Sequence, residues 1–459
     1  MRLQFLGATE TVTGSKFNLT DGHNSWLIDC GLYQGLKELR LRNWQPLPVD
    51  PKRLDAIILT HAHIDHTGYL PLIVKNGFSG PVYASVPTVE LCKILLPDAG
   101  YIQEEDAKFA AKKGFSKHAN PLPLYTYADA VESLKTLKPI PDRSWRSLSD
   151  HVRIMLRPAG HILGSRVINV SVKKPHHSFN IMFAGDIGGY DALISVDPGA
   201  VKSVNYLVLE STYGDRLHPV ENVLDRFEAI INRTISRGGK VVIPSFAVGR
   251  SQEVLYILKK LEEQGRLPDV PIFLNSPLAI DATTIYVQYA SEHNFFKNGI
   301  SPTQAFQPSR LILVQGSEES KHLNYLAEPA IIISSSGMMT GGRILHHLKA
   351  YLPDHNSTLV ITGFQAAGTR GRLLLDGAKA IKIHGLPVKV NAEIEYIESL
   401  SAHGDYGDIL RWLRGFHQPP KTTFLVHGEP KAAEALKQRI ERELNWHVMI
   451  PKYLEKVEL

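Results

Sequence analysis

Cysteine is nearly absent: the 459 residues contain only Cys30 and Cys92. Two thiols cannot build a disulfide framework and make cysteine-based zinc sites a poor fit, so both are expected reduced inside a core. Long apolar runs are missing too. No stretch approaches the roughly eighteen consecutive apolar residues of a membrane span, which excludes a membrane helix. The opening MRLQFLGATETVTGS lacks the long apolar segment of a secretory signal and reads as a first strand running into a turn. Charge of one sign is in slight excess only: 51 Lys and Arg against 46 Asp and Glu leave +5, which suits a polyanionic partner without demanding one. The 43% of hydrophobic and 21% of charged residues indicate a folded chain of two or three units, expected in the cytoplasm.

Strand-sized apolar runs recur in the first half, at Leu3–Leu6, Trp26–Ile28, Ala56–Leu59, Val152–Leu156, Val167–Val172, Asn180–Phe183 and Tyr206–Leu209. Several end in polar clusters, so reactive side chains collect at strand ends. From about Glu221 helix and strand alternate: a helix near Glu221–Ser236, the strand VVIP, a helix near Ser251–Gln264, then PIFL, AIIIS and TLVIT. That alternation predicts a doubly wound parallel domain. The tail adds a helix at about Tyr406–Phe416, a strand Thr423–Val426 and a helix near Pro430–Leu444, too few for a domain of their own. They complete the first domain, giving an expected division into 1–208, an insertion 209–394, and 395–459.

Residues 57–66, IILTHAHIDH, place four candidate ligands within six positions after an apolar strand. Imidazole nitrogen and carboxylate oxygen suit zinc, and a tight loop directs His61 and His63 to one ion while Asp65 and His66 turn toward a neighbour. One loop cannot close two sites. His161 in PAGHILGS, Asp186 in FAGDIG and His427 in LVHGE each follow an apolar segment and precede a turn, and together they complete two nitrogen and oxygen shells. Asp29 in LIDCG is expected to orient a ligand imidazole. Two ions about 3.5–4 Å apart acidify a water and polarise a phosphoryl oxygen, so no protein nucleophile is required.

The pattern His-x-His-x-Asp-His with a later His and Asp resembles the metallo-β-lactamase fold. The resemblance implies an αββα sandwich in which His61, His63 and His161 hold one zinc, Asp65 and His66 the other, and Asp186 bridges. Three further motifs resemble the β-CASP group of nucleases: Glu210 in LESTYG, His403 in SLSAHGD and His427 in LVHGE. The implied fold is a metallo-β-lactamase sandwich carrying an inserted parallel α/β β-CASP domain, with two Zn²⁺ per chain and single-stranded RNA as substrate. His427 then completes the second zinc site, and His403, oriented by Glu210, protonates the leaving oxygen; a carboxylate-tuned imidazole suits that task independently.

Three Gly- or hydroxyl-rich segments in the second unit, PSFAVGRSQE, SSSGMMTGGR and GFQAAGTRGR, offer backbone amides and guanidinium groups to phosphates. The candidates there are Ser245, Arg250, Ser335, Ser336, Gly337, Arg343 and Arg370, with Arg372 beside them. His384 in IKIHGLPV has no motif match, and the pair His346–His347 is expected to face solvent. A homodimer is compatible with the sequence. Competing functions are another dinuclear-zinc hydrolase, acting on thioesters or small phosphodiesters, and a partner-dependent subunit of an RNA-processing complex.

Overall fold

A computed structural model describes residues 1–113, 121–174, 177–294 and 300–459. The chain divides into two compact units, Met1–Leu217 with His403–Leu459, and His218–Ala402.

The first unit holds two seven-stranded sheets. One runs in the order Lys456–Glu458, Arg2–Phe5, Phe17–Thr20, Ser25–Ile28, Ala56–Ile58, Val82–Ala84 and Leu137–Pro139. The other runs Val448–Met449, Thr422–Val426, Tyr206–Glu210, His177–Phe183, Arg166–Lys174, Val152–Pro158 and Arg146–Ser147. Side chains alternate across a strand, so the register Leu3↔Leu19 and Phe5↔Phe17 sends four apolar groups to one face. There Leu3, Phe5, Trp26 and Ile28 of the first sheet pack with Ile168, Phe183, Val208 and Phe424 of the second. The outward residues of the second sheet, among them Met182, Leu207 and Leu425, are covered by Ile409, Leu413, Leu436 and Ile440 of the helices Tyr406–Leu413 and Pro430–Leu444. The helices Leu70–Lys75, Val86–Lys113 and Tyr127–Ser133 accompany the first sheet. This is the αββα sandwich expected from the sequence, and the tail completes it through both sheets.

The second unit is built on six strands, all paired in parallel, in the order Leu311–Leu313, Ile272–Leu274, Ala330–Ser334, Lys240–Pro244, Thr358–Thr362 and Glu393–Ile397. The central strands are continuous apolar runs because helices cover both faces. A separate hairpin, Ala380–Ile383 with Leu386–Lys389, inserts Ile381, Ile383 and Val388 into this core.

His347 corrects an expectation. Only His346 of the pair is exposed; His347 is fully buried. Asn275 Nδ2 donates to its Nε2 at 2.6 Å and its Nδ1 donates to Asn324 Oδ1 at 2.8 Å, which fixes the neutral imidazole. Burial, followed by the nearby His346 and Arg343, lowers its pKa to about 4. A group whose pKa is depressed by folding binds its proton more readily in the unfolded chain. The associated stability is therefore present above the ordinary value of 6.5 and is lost as pH falls through about 4. The loss is on the order of 3 kcal/mol at about 1.4 kcal/mol per unit. The protection factors of amides in the strand Ala330–Ser334, measured relative to the intrinsic exchange rate at each pH, are expected to fall between these pH values in the wild type. His347→Gln is expected to flatten that dependence; an equally steep response in the variant would remove His347 as its source.

Candidate metal centre

The candidate centre is assembled from loops at the ends of strands in the first unit. His61, His63, Asp65 and His66 follow Ala56–Ile58, the last two on the short helix Ile64–Thr67, and the ring centroids of His61 and His66 lie 4.1 Å apart. His161 follows Val152–Pro158, Asp186 follows His177–Phe183, and His427 follows Thr422–Val426. Gly185, at φ +59°, supplies the left-handed turn that presents Asp186. Gly31 is required by close approach: a Cβ there would lie 1.5 Å from the Asp65 carbonyl oxygen. His427 itself is left-handed, at φ +48°, and its loop is held by its N–H donating to the Ala8 carbonyl at 2.7 Å.

Seven side chains meet here. His63 Nδ1 lies 3.1 Å from His61 Nε2 and 3.2 Å from His161 Nε2, while Asp186 Oδ2 is 3.4 and 3.5 Å from the same two Nε2 atoms. His66 Nε2 lies 3.3 Å from His427 Nε2, 3.8 Å from Asp65 Oδ2 and 3.3 Å from Asp186 Oδ1. His427 Nε2 and Asp65 Oδ2 are 3.3 Å apart. Donors 2.0–2.1 Å from a tetrahedral zinc are separated by roughly 3.3 Å, so these spacings are those of ligand edges around an ion. The two donor groups share the carboxylate of Asp186, one oxygen in each.

The proton positions agree with that use. Asp29, fully buried, accepts from the Thr60 N–H at 2.7 Å and the Thr60 hydroxyl at 2.9 Å. It also accepts from His66 Nδ1 at 2.8 Å, which leaves Nε2 as the nitrogen that a bound ion would take in place of a proton. Because the Thr60 hydrogen goes to Asp29, its oxygen accepts from His61 Nδ1 at 3.0 Å, and His61 Nε2 is bare in turn. Thr212 Oγ1 stands 3.1 Å from His427 Nδ1. Burial holds His61 well below the usual imidazole value and lowers His63 to about 4, so both are neutral, the ligating form. Burial opposes charge at His66 too, but the carboxylates of Asp186 and Asp29 draw its pKa well above the ordinary value. Burial would likewise raise Asp186, yet His427, His66 and His61 hold it well below the usual carboxylate range. Its Oδ1 accepts no hydrogen bond among the described residues. A buried carboxylate oxygen facing imidazole nitrogens that converge at 3.1–3.5 Å fits a bound cation.

His403 adjoins this cluster. Both oxygens of the buried Glu210 are 3.0 Å from its Nδ1, so the Nδ1–H donates to that carboxylate and Nε2 lies toward the ligands, 3.9 Å from Asp186 Oδ2. Glu210 is fixed by the Ile187 N–H at 2.7 Å. Burial works against protonation of His403, but Glu210 and then Asp186 raise its pKa to about 9. Asp405, whose side chain accepts from the N–H groups of Gly407 and Asp408, starts the helix Tyr406–Leu413 just beyond and anchors the His403 loop. Sequence reasoning did not single out Thr60, Thr212 or Ser15, whose hydroxyl is 3.3 Å from His66 Nε2. Their signal was position alone, a hydroxyl inside LTHAHIDH, LESTYG and GATETVTGS.

The three segments expected to bind phosphate lie at the carboxyl ends of Lys240–Pro244, Ala330–Ser334 and Thr358–Thr362, adjacent strands of the second unit. They touch: the Ser245 N–H donates to the Ser334 carbonyl and Gln365 Nε2 to the Gly337 carbonyl. The buried Ser245 hydroxyl has no partner among the described residues. Ser335 donates to Ser276 Oγ at 3.0 Å, and Ser336 Oγ accepts from the Thr340 N–H at 3.0 Å. The guanidinium groups are more engaged than the sequence suggests. Arg250 pairs with Glu253, Arg343 donates to Asn275 Oδ1, Val314 O and Gln315 O, and Arg370 donates to the carbonyls of Lys382, Met339 and Thr340.

Comparison with known proteins agrees with this layout. The profile of the metallo-beta-lactamase superfamily matches residues 19–237, that of the Beta-Casp domain 251–374, and that of the Zn-dependent metallo-hydrolase RNA specificity domain 387–451. Ribonuclease TTHA0252 of Thermus thermophilus is 36% identical over 442 residues, covering 95% of each chain. An RNase J-like protein of Methanocaldococcus jannaschii is 30% identical, covering 98% of this chain and 97% of its own. The transcription termination factor FttA of Pyrococcus abyssi is 33% identical over 88% of this chain and 62% of its own length. A crystal structure of an Enterococcus faecalis V583 protein of unknown function shares the fold, with a TM-score of 0.53 at 12% identity over 100% of this chain and 99% of that one.

Proposed function

The chain belongs to the β-CASP family of the metallo-β-lactamase superfamily, and from that premise we propose that it is a zinc-dependent ribonuclease cutting single-stranded RNA with two metal ions and a histidine general acid. The observation that carries this reading is the pair His403–Glu210: an imidazole outside the seven ligands, held by a buried carboxylate with Nε2 toward them.

His61, His63 and His161 would hold one ion, Asp65, His66 and His427 the other, with Asp186 between them. When bound, such ions supply Lewis acidity and a water acidified for attack on phosphorus. Asp29 and Thr60 fix the tautomers of His66 and His61. His403 holds a proton at Nε2 and delivers it to the departing oxygen, so that an alkoxide need not be expelled. Glu210 sets the orientation of the ring and balances its charge. The loops of the second unit would receive the RNA backbone; Ser245, the Ser335–Gly337 turn and their amides are better placed for this than the arginines, whose donors hold carbonyls and a carboxylate.

Zinc-loaded protein incubated with a 5′-labelled single-stranded RNA is expected to yield shorter labelled products, and a chelator is expected to abolish them. An intact RNA with a fully metallated protein would favour hydrolysis of small phosphodiesters or thioesters on the same centre.

A further inference from the structure

We propose that the hairpin Ala380–Ile383/Leu386–Lys389, with the groove at its base, is a second contact for single-stranded RNA, located in the unit that contains none of the metal ligands. The inference rests on the reading of the chain as a ribonuclease.

Residues 377–392, GAKAIKIHGLPVKVNA, include three lysines and a histidine and no acid. The register sorts them by face. Ile381 opposes Val388, and both are buried with Ile383; Lys382 opposes Pro387 and Lys389 opposes Ala380, and all four are exposed. The hairpin therefore has one face in the core and one cationic face in solvent, extended by the exposed Lys379. None of the three lysine ammonium groups is ion-paired among the described residues. The acids nearby are engaged: Asp376 with Arg372 at 2.7 Å, and Glu393 and Glu395 with Arg233 at 2.8 and 2.6 Å. At the turn, where His384 and Gly385 both have positive φ, the His384 ring centroid lies 5.1 Å from that of His346, the rings tilted by 45°. Burial, then Lys349 and Lys321, lowers the pKa of His346, so this imidazole is neutral and the charge of the hairpin is that of its lysines.

A second observation adds shape. A cavity of about 620 Å³ opens at the hairpin base, lined by Leu375, Val390 and Ile394, by the half-buried ring of Tyr396, and by Arg372 and Lys379. An aromatic ring on an aliphatic floor with cations at the rim suits an unstacked base whose phosphates lie along lysines. The surface asks for a polyanion with flat apolar groups, which single-stranded RNA is. Lysines on strand edges also guard against aggregation, and that role is the rival the test has to separate.

The test uses the zinc-loaded full chain carrying His403→Ala, so that RNA stays whole, with and without Lys379→Ala/Lys382→Ala/Lys389→Ala. These side chains leave the core face untouched. Binding of fluorescein-labelled oligouridylate of about thirty nucleotides, well beyond a single binding site, and of about eight, is followed over a series of KCl concentrations. Three lost phosphate contacts are expected to lower the slope of log K against log salt by about 2, at about 0.7 per contact, and to weaken the longer RNA about tenfold, with the shorter RNA unaffected. Tyr396→Leu is expected to weaken the longer RNA without changing the slope. An unchanged slope and affinity for the longer RNA overturns the inference while leaving the ribonuclease reading intact, the more so if the triple variant aggregates or if the face binds polyglutamate instead. Wild-type protein that neither binds nor cleaves RNA overturns both.

Discussion

Replacing His403 by alanine is expected to slow RNA cleavage about 10³-fold, within the range for a lost general acid, while the zinc content stays that of the wild type. The argument is geometric. The Nδ1 of His403 is committed to Glu210 at 3.0 Å, and its Nε2 is 3.9 Å from Asp186 Oδ2, against 3.3–3.5 Å from the Asp186 carboxylate to His66, His61 and His161. Yet Asp186, His403 and His427 also form a compact trio of donors, so elemental analysis beside the rate separates proton donor from ligand. Loss of metal in the variant would make His403 a ligand, and an undiminished rate would remove it from the reaction.

Asp186→Ala is expected to do more. Its Oδ1 faces His66 at 3.3 Å and its Oδ2 faces His61 and His161 at 3.4 and 3.5 Å, so one substitution withdraws an oxygen from both donor groups. Losing a residue that merely supports a ligand lowers metal affinity about 10–100-fold. Losing a shared ligand should exceed that, leaving the purified variant depleted of zinc and without measurable cleavage. Without carboxylate or cation, the five imidazoles of His61, His63, His66, His161 and His427 crowd one space, and a lower melting temperature is expected as well. A variant that retained full metal and activity would show that Asp186 is not shared.

The centre was legible because its chemistry is concentrated. Four candidate ligands in six residues have no ordinary structural use, and His161, Asp186 and His427, which the structure brings beside them, each announce themselves by a turn after an apolar strand. Asp29 was legible for the same reason, although its φ of +57° was not. Much of the sheet architecture was less so. Val82–Ala84 and Leu137–Pro139 are three residues long, too short for periodicity to separate strand from turn, and they exist because a parallel neighbour completes their hydrogen bonding. The hairpin Ala380–Lys389 alternates well but sits beside Gly-rich sequence and was not assigned as strands. His347 and the arginines of the second unit illustrate a different blindness. A sequence records that a donor is present; whether Asn275, Val314 or Met339 already accepts from it is decided by strands far away in the chain.

The order in which the ligands occur along the chain also orders events on the ribosome. His61 to Asp186 emerge early, but His427, which closes the second donor group, lies 361 residues after His66, and the strand Lys456–Glu458 that pairs with Arg2–Phe5 comes later still. Throughout synthesis of the inserted unit the nascent chain lacks both His427, proposed to complete the second donor group, and His403, proposed to supply the proton. On that proposal a growing ribonuclease is tethered beside its own messenger while still inert, and it becomes a catalyst only once His403 and His427 have been made and Thr422–Val426 has joined its sheet.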